Sequence, residues 1–231
     1  MATDIRPGGW QVLPTIIKNL IIINALVWLA QITIGRSQLP MSDLFALHYV
    51  KSDLYKPWQF LTYMFMHDPQ SPFHILFNML ALWMFGSTLE NLWGPKRFLI
   101  FYLLCGLFAG FVQVLAMAYD MSNYTHLYNT GQITADDLTF VANVPVLGAS
   151  GAVMGIFAAF AYSFPNSQLF IFPIPFPIKA KWALIGFVAY DLFGGLYSNA
   201  GGIAHFAHIG GAVLGIILVI IWNRKNRRNF Y

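Results

Sequence analysis

Charge is what this chain has least of: only 10% of its 231 residues are Asp, Glu, Lys or Arg. Soluble domains carry about 25%, so a chain designed to face water on all sides is excluded. An apolar share of 58%, an aromatic share of 17% and a mean hydropathy of +0.59 describe a protein that folds in lipid. Cysteine is limited to Cys105, which lies in an apolar stretch, so no internal disulfide can form and a small packing role is expected. No short apolar core with a small-residue cleavage site follows residues 1–6, and no removable signal peptide is expected; the first apolar helix should direct insertion. Nor do the apolar runs carry a continuous series of ionisable groups from one face to the other, which argues against a channel or transporter. The net charge of +4 would suit nucleic acid only if the cations were gathered on one face. They sit instead in short clusters between apolar runs, where orientation in a membrane accounts for them.

What is present is a succession of apolar runs near membrane-spanning length. Residues 16–34 are apolar apart from Lys18, Asn19, Asn24, Gln31 and Thr33, and predict a first span. Further spans are predicted at 74–92, 98–118, 150–164, 182–197 and 203–222, the fourth being short. The expected fold class is an all-α membrane protein, a bundle of six helices. Three connections stand out. Residues 38–73 contain Pro40, Pro57, Pro69 and Pro72 yet crowd Trp58, Phe60, Leu61, Tyr63, Met64, Phe65 and Met66 together, which predicts short helices lying in the headgroup region with their aromatic face down. Residues 120–146 read as a polar connection with Asp120, Asp136 and Asp137 and no lysine or arginine. Residues 170–178, with Pro173, Pro175 and Pro177 at alternate positions, read as an extended interfacial loop. The expected organisation is a cytoplasmic N-terminus at 1–15, one six-helix domain at 16–222 and a basic tail at 223–231. Arg6, Lys18, Lys96, Arg97, Lys179, Lys181, Arg224, Lys225, Arg227 and Arg228 fall on the side of the termini, against Arg36, Lys51 and Lys56 opposite. That bias predicts cytoplasmic termini, in the setting of a bacterial inner membrane.

On this topology the N-terminal turns of spans two, four and six lie at similar depth below the outer face, and those turns hold the polar residues. Ser150 opens span four between Gly148 and Gly151, His208 lies near the start of span six, and His74 and Asn78 share one face at the start of span two. Gly151 and Gly155, and again Gly211 and Gly215, form side-chain-free stripes that let two helices approach closely. Polar groups are expensive within spans and usually face a shared interior. As structural glue they would merely join helices; as a site, Ser150 would attack an amide carbonyl while neutral His208 takes its proton and later donates it to the leaving amine. Asp191, near the middle of span five, is expected about half a bilayer deeper, and Glu90 lies near the cytoplasmic end of span two. A dyad without an orienting carboxylate is therefore expected.

With residues 148–151 (Gly-Ala-Ser-Gly), 208–211 (His-Ile-Gly-Gly) and 74–78 (His-Ile-Leu-Phe-Asn) in view, the chain resembles the rhomboid intramembrane serine proteases, over about 16–222. The resemblance implies Ser150 as nucleophile, His208 as base, and His74, Asn78 and the Ser150 backbone N–H as oxyanion hole. Gly86 and Glu90 match its second-helix pattern. His205, one turn before His208, fits its His-x-x-His pattern in a structural role; a zinc site is the loose alternative, and the spacing is wrong for the usual i, i+4 helical pair, so no metal and no cofactor is implied. The departures are Gln59 after Trp58 where the family often has Arg, Met154 where it commonly has an aromatic, and an insertion-like Asp-Pro-Gln-Ser-Pro at 68–72. The implied substrates are membrane proteins whose spans contain Gly, Pro or another weak helix former, cut near the outer face after a small residue. A non-catalytic rhomboid-like protein that binds clients is the alternative.

Overall fold

The computed structural model describes residues 9–34, 39–171, 174–197 and 204–227, and the described chain is mostly helical. In order it forms α1 (Thr15–Thr33), α2 (Met41–Phe45), α3 (Gln59–Thr62) running into a 3-10 turn (Tyr63–Phe65), α4 (Pro72–Trp93), α5 (Pro95–Asn129), α6 (Ala135–Ala142), α7 (Ser150–Ser163), a hairpin of β1 (Gln168–Leu169) and β2 (Ile178–Lys179), α8 (Ala180–Tyr197) and α9 (His205–Arg227). Among the described residues, four helices are long and apolar enough to cross a membrane: α1, α4, α5 and the stretch His205–Asn223 of α9. The start of the sixth predicted span at Ile203 lies outside the described residues, as do Arg6, Arg36, Arg228 and Pro173.

Punctuation in the sequence sets the helix ends. Gly94 adopts a positive φ of 80° that stops α4, and Pro95, which has no N–H to leave unpaired, takes the first position of α5. At the centre stands α7, which packs against α4, α5, α8 and α9. Its 14 residues reach only about 21 Å, and ten of them are buried. A helix that is apolar all round belongs inside a bundle, and the small residues along α7 let its neighbours come close.

Gly86 and Glu90 join α1 to α4. A Cβ on Gly86 would stand 2.6 Å from the Ile17 side chain, so glycine permits the crossing. Glu90 then accepts hydrogen bonds from the Ile16 and Ile17 N–H groups, each at 2.9 Å. A carboxylate at the N-terminal turn of a neighbouring helix satisfies donors that have no carbonyl of their own and complements the helix dipole.

Two connections differ from expectation. The polar stretch after residue 118 is not a loop: α5 continues unbroken to Asn129, 35 residues or about 52 Å, well beyond a hydrocarbon core of about 30 Å. The loss of apolar residues ends a span without ending a helix, because neither Gly nor Pro interrupts the chain until Gly131 turns it at a φ of 74°. Within the same stretch α6 is started by a capping box, with Asp137 N donating to Thr134 Oγ1 and Thr134 N to the Asp137 carboxylate. In the 38–73 segment, part of the expected downward aromatic face turns into the protein. Tyr63, Met64 and Met66 are buried, and Tyr63 donates to the Gly106 carbonyl at 2.6 Å. Trp58 and Leu61 stay exposed. The 170–178 stretch is tied at its base by the β1–β2 pairing, and leaves Phe170 and Phe176 exposed.

Gln59, the departure from Trp-Arg, is fully buried and sits in a pocket of backbone groups. Its amide donates to the Asp43 and Leu54 carbonyls at 3.0 and 2.9 Å and accepts from His48 N at 3.3 Å. An arginine could make the first two contacts but has no acceptor for the third.

Candidate active site

Ser150 is the first residue of α7, where the backbone N–H groups of the opening turn have no intrahelical acceptor and the helix dipole favours negative charge. His208 lies three residues into α9. Where the two helices cross, the four glycines face one another: added Cβ atoms on Gly211 and Gly215 would run into the carbonyls of Gly151 and Gly155, and one on Gly155 would stand 2.7 Å from Cys105. Cys105 is buried and free, filling that gap as a small packing group. This close approach brings Ser150 Oγ within 2.7 Å of His208 Nε2.

The other ring nitrogen, His208 Nδ1, lies 3.0 Å from Asp191 Oδ1, and His205 Nδ1 lies 2.8 Å from the same oxygen. A carboxylate can only accept, so both imidazoles carry their Nδ1 proton toward Asp191. That choice leaves His208 Nε2 with a lone pair aimed at the serine hydroxyl, the state a general base requires. The expectation that Asp191 lies too deep is therefore corrected. Counted along the helices, Asp191 is six residues, about 9 Å, from the end of α8, and His208 three residues, about 5 Å, from the start of α9. The difference of about 4 Å is one that an imidazole ring spans. A lone carboxylate inside an apolar helix was itself the signal, since intramembrane acids are functional by default. Gly194, one turn on, belongs to the same arrangement, because a Cβ there would meet the His205 ring at 2.5 Å.

On the other side of Ser150, Gly148 holds a φ of 132°, a region that L side chains rarely adopt, and its N–H donates to the Tyr63 carbonyl at 3.0 Å. A Cβ at this position would stand 3.0 Å from His74 Nε2 and 3.5 Å from Ser150 Oγ. The missing side chain therefore leaves open the space between the histidine edge and the serine oxygen. His74 Nδ1 accepts from Asp68 N at 3.3 Å, and its ring meets His67 edge-on at 5.1 Å. His67 is fully buried in the loop before α4; burial, reinforced by His74, pushes its pKa down to about 4. Asn78 shares the face of His74, is buried, and donates one amide hydrogen to the His74 carbonyl at 2.9 Å. No cluster of metal-ligating side chains occurs among the described residues.

The arrangement can therefore transfer a proton from a hydroxyl to an imidazole held by a carboxylate, beside an open space edged by a histidine nitrogen and a helix N-terminus. Residues 55–225 match the family model described as Rhomboid domain, so α1 lies outside the match. The chain is 34% identical over 163 residues to the human presenilin-associated rhomboid-like protein, mitochondrial, covering 68% of this chain and 37% of that protein. To rhomboid protein 1, mitochondrial, of Saccharomyces cerevisiae it is 30% identical over 148 residues, covering 64% and 37%. To the rhomboid protease AarA of Providencia stuartii it is 30% identical over 171 residues, covering 71% and 56%. The match thus spans little more than a third of the mitochondrial relatives. A family model covering most of the chain, on an integral membrane protein with several apolar helices, establishes that the chain belongs to the rhomboid family.

Proposed function

We propose that this protein is an intramembrane serine endopeptidase that cleaves other membrane proteins near the outer edge of their spans. The observation that carries the reading is the hydrogen-bonded line Ser150 Oγ, His208 Nε2, His208 Nδ1, Asp191 Oδ1, at 2.7 and 3.0 Å, drawn from three helices. A client-binding protein without catalysis has no need of that line. As Ser150 Oγ bonds to the substrate carbonyl carbon, His208 Nε2 takes the hydroxyl proton, and Asp191 stabilises the imidazolium. The carbonyl oxygen gains negative charge, which the Ser150 N–H, His74 Nε2–H and the Asn78 amide stabilise in the space left by Gly148. Collapse breaks the C–N bond, and His208 gives its proton to the leaving nitrogen. Water then attacks the acyl ester, His208 takes its proton, and that proton returns to Ser150.

In this reading 16–222 is one domain of six spans, with α7 and α8 completing the crossing made by the four longer helices, and both termini cytoplasmic by the excess of cations on that side. The bilayer is a bacterial inner membrane, and the residues outside the domain, 1–15 and 223–231, are cytoplasmic. Because an α-helix hides its amides in its own hydrogen bonds, a substrate span must unwind at Gly, Pro or another weak helix former before it enters the site. No cofactor takes part. The test is proteolysis of single-span substrates by the purified protein in liposomes. Ser150→Ala should lose all cleavage and all labelling by a serine-directed phosphonate while melting in detergent as the parent does; cleavage of the same bond by the mutant would sink the assignment.

A further inference from the structure

His74, the oxyanion donor of that reading, is linked through the loop before it to α1. Near its end, α1 carries Gln31, 3% exposed, whose amide pairs with both backbone groups of His67: Gln31 Nε2 donates to the His67 carbonyl at 2.8 Å, and His67 N donates to Gln31 Oε1 at 2.9 Å. One turn earlier, Trp28 Nε1 donates to the Asp68 carbonyl at 3.1 Å. Three of the four backbone polar groups of His67 and Asp68 are thus bonded to α1. The fourth, Asp68 N–H, donates to His74 Nδ1. The Asp68 carboxylate accepts from Gln70 N at 2.8 Å, which forms the local turn.

The consequence is chemical. A neutral imidazole has one N–H and one lone pair, and an Nδ1 that accepts must leave the proton on Nε2. His74 Nε2 is the nitrogen beside the space at Gly148. In the opposite tautomer a lone pair would face the developing oxyanion, and the interaction would become repulsive. We propose that Gln31, supported by Trp28, is a positioning residue for the oxyanion hole: it straps the His67–Asp68 backbone so that Asp68 N–H holds His74 as the Nε2–H tautomer. This rests on the reading of His74 as an oxyanion donor, and it gives α1, which lies outside the residues matched to the family model, a part in the chemistry.

Replacement of Gln31 by Leu keeps the bulk and removes both bonds. In the Gln31→Leu protein, kcat on a single-span substrate should fall about tenfold or more with KM within about twofold, since only a transition-state donor is lost. In a His74→Ala background the same substitution should cost nothing further. Trp28→Phe should produce a smaller loss of the same kind, and serves where Gln31→Leu does not fold. Nitrogen-15 spectra of labelled histidine should show His74 protonated at Nε2 in the parent and a tautomer mixture in Gln31→Leu. A parent His74 protonated at Nδ1 overturns the proposal, as does a Gln31→Leu loss that is absent or equal in both backgrounds. If His74→Ala itself leaves kcat unchanged, the oxyanion reading has failed instead, independently of the spectra.

Discussion

The two halves of the site are held by opposite means. Ser150 and His208 meet because four glycines let α7 and α9 touch backbone to backbone, a fit with no polar component that one methyl group would break. His74 is held by a series of hydrogen bonds through a loop to α1, where volume matters less than the identity of each donor and acceptor. One half is specified by the absence of atoms and the other by the direction of protons. Added bulk should therefore destroy the first half, and removal of polar groups should degrade the second.

The largest effect is expected at the crossing. In Gly211→Val the new side chain meets the Gly151 carbonyl, which cannot rotate away, so the helices must separate; overpacking of this kind costs about 1–3 kcal/mol or more. Melting in detergent should drop and cleavage disappear, and a variant with parental activity would show that the crossing does not position the dyad. Next comes Asp191→Asn, which keeps the shape but offers an N–H to Nδ1 and so stabilises the wrong tautomer of His208. By the serine protease precedent kcat should fall by roughly 10⁴ with little change in KM. A loss within about tenfold would make Asp191 a structural partner of His205 alone.

The hydrogen-bonded half should respond by degrees. Asn78→Ala should lower kcat by about 10² to 10³, and the double substitution with His74→Ala should lose less than the product of the two, since donors to one oxygen act as a unit. If Asn78→Ala remains within about twofold of the parent, Asn78 only ties its own helix. His67 bears on stability and its pH dependence, not on turnover. Its pKa is depressed from 6.5 to about 4, so burial of the neutral ring is fully stabilising above pH 6.5, and that contribution is lost as pH falls through about 4. The loss amounts to about 3 kcal/mol. Melting measured from pH 7 down to pH 4 should fall less steeply in His67→Phe than in the parent; parallel curves would mean that His67 does not stay neutral.

How far the site could be read from the residues depended on the distance over which each relation acts. Ser150 between glycines, the Gly151/Gly155 and Gly211/Gly215 stripes, and the His74/Asn78 pair are spacings within one helix, where a period of 3.6 residues dictates which side chains share a face. The length of α5 is not legible from polarity, because the loss of apolar residues ends a span without ending a helix; the chain turns only at Gly131. Gln59, a departure from the family pattern, is explained only by its backbone partners at Asp43, Leu44, Leu54 and His48, which no local spacing shows.

Composition and local spacing alone determined that the chain folds in lipid, which residues open its polar turns, and where helices can touch, because these follow from apolar content and helical period. Tertiary structure alone decided that Asp191 reaches His208, that Gln31 reaches His67 across 36 residues of chain, and that Glu90 caps α1. Those contacts depend on the relative height and facing of separate helices. No periodicity within a single segment encodes that quantity; it is set by the packing of all of them at once.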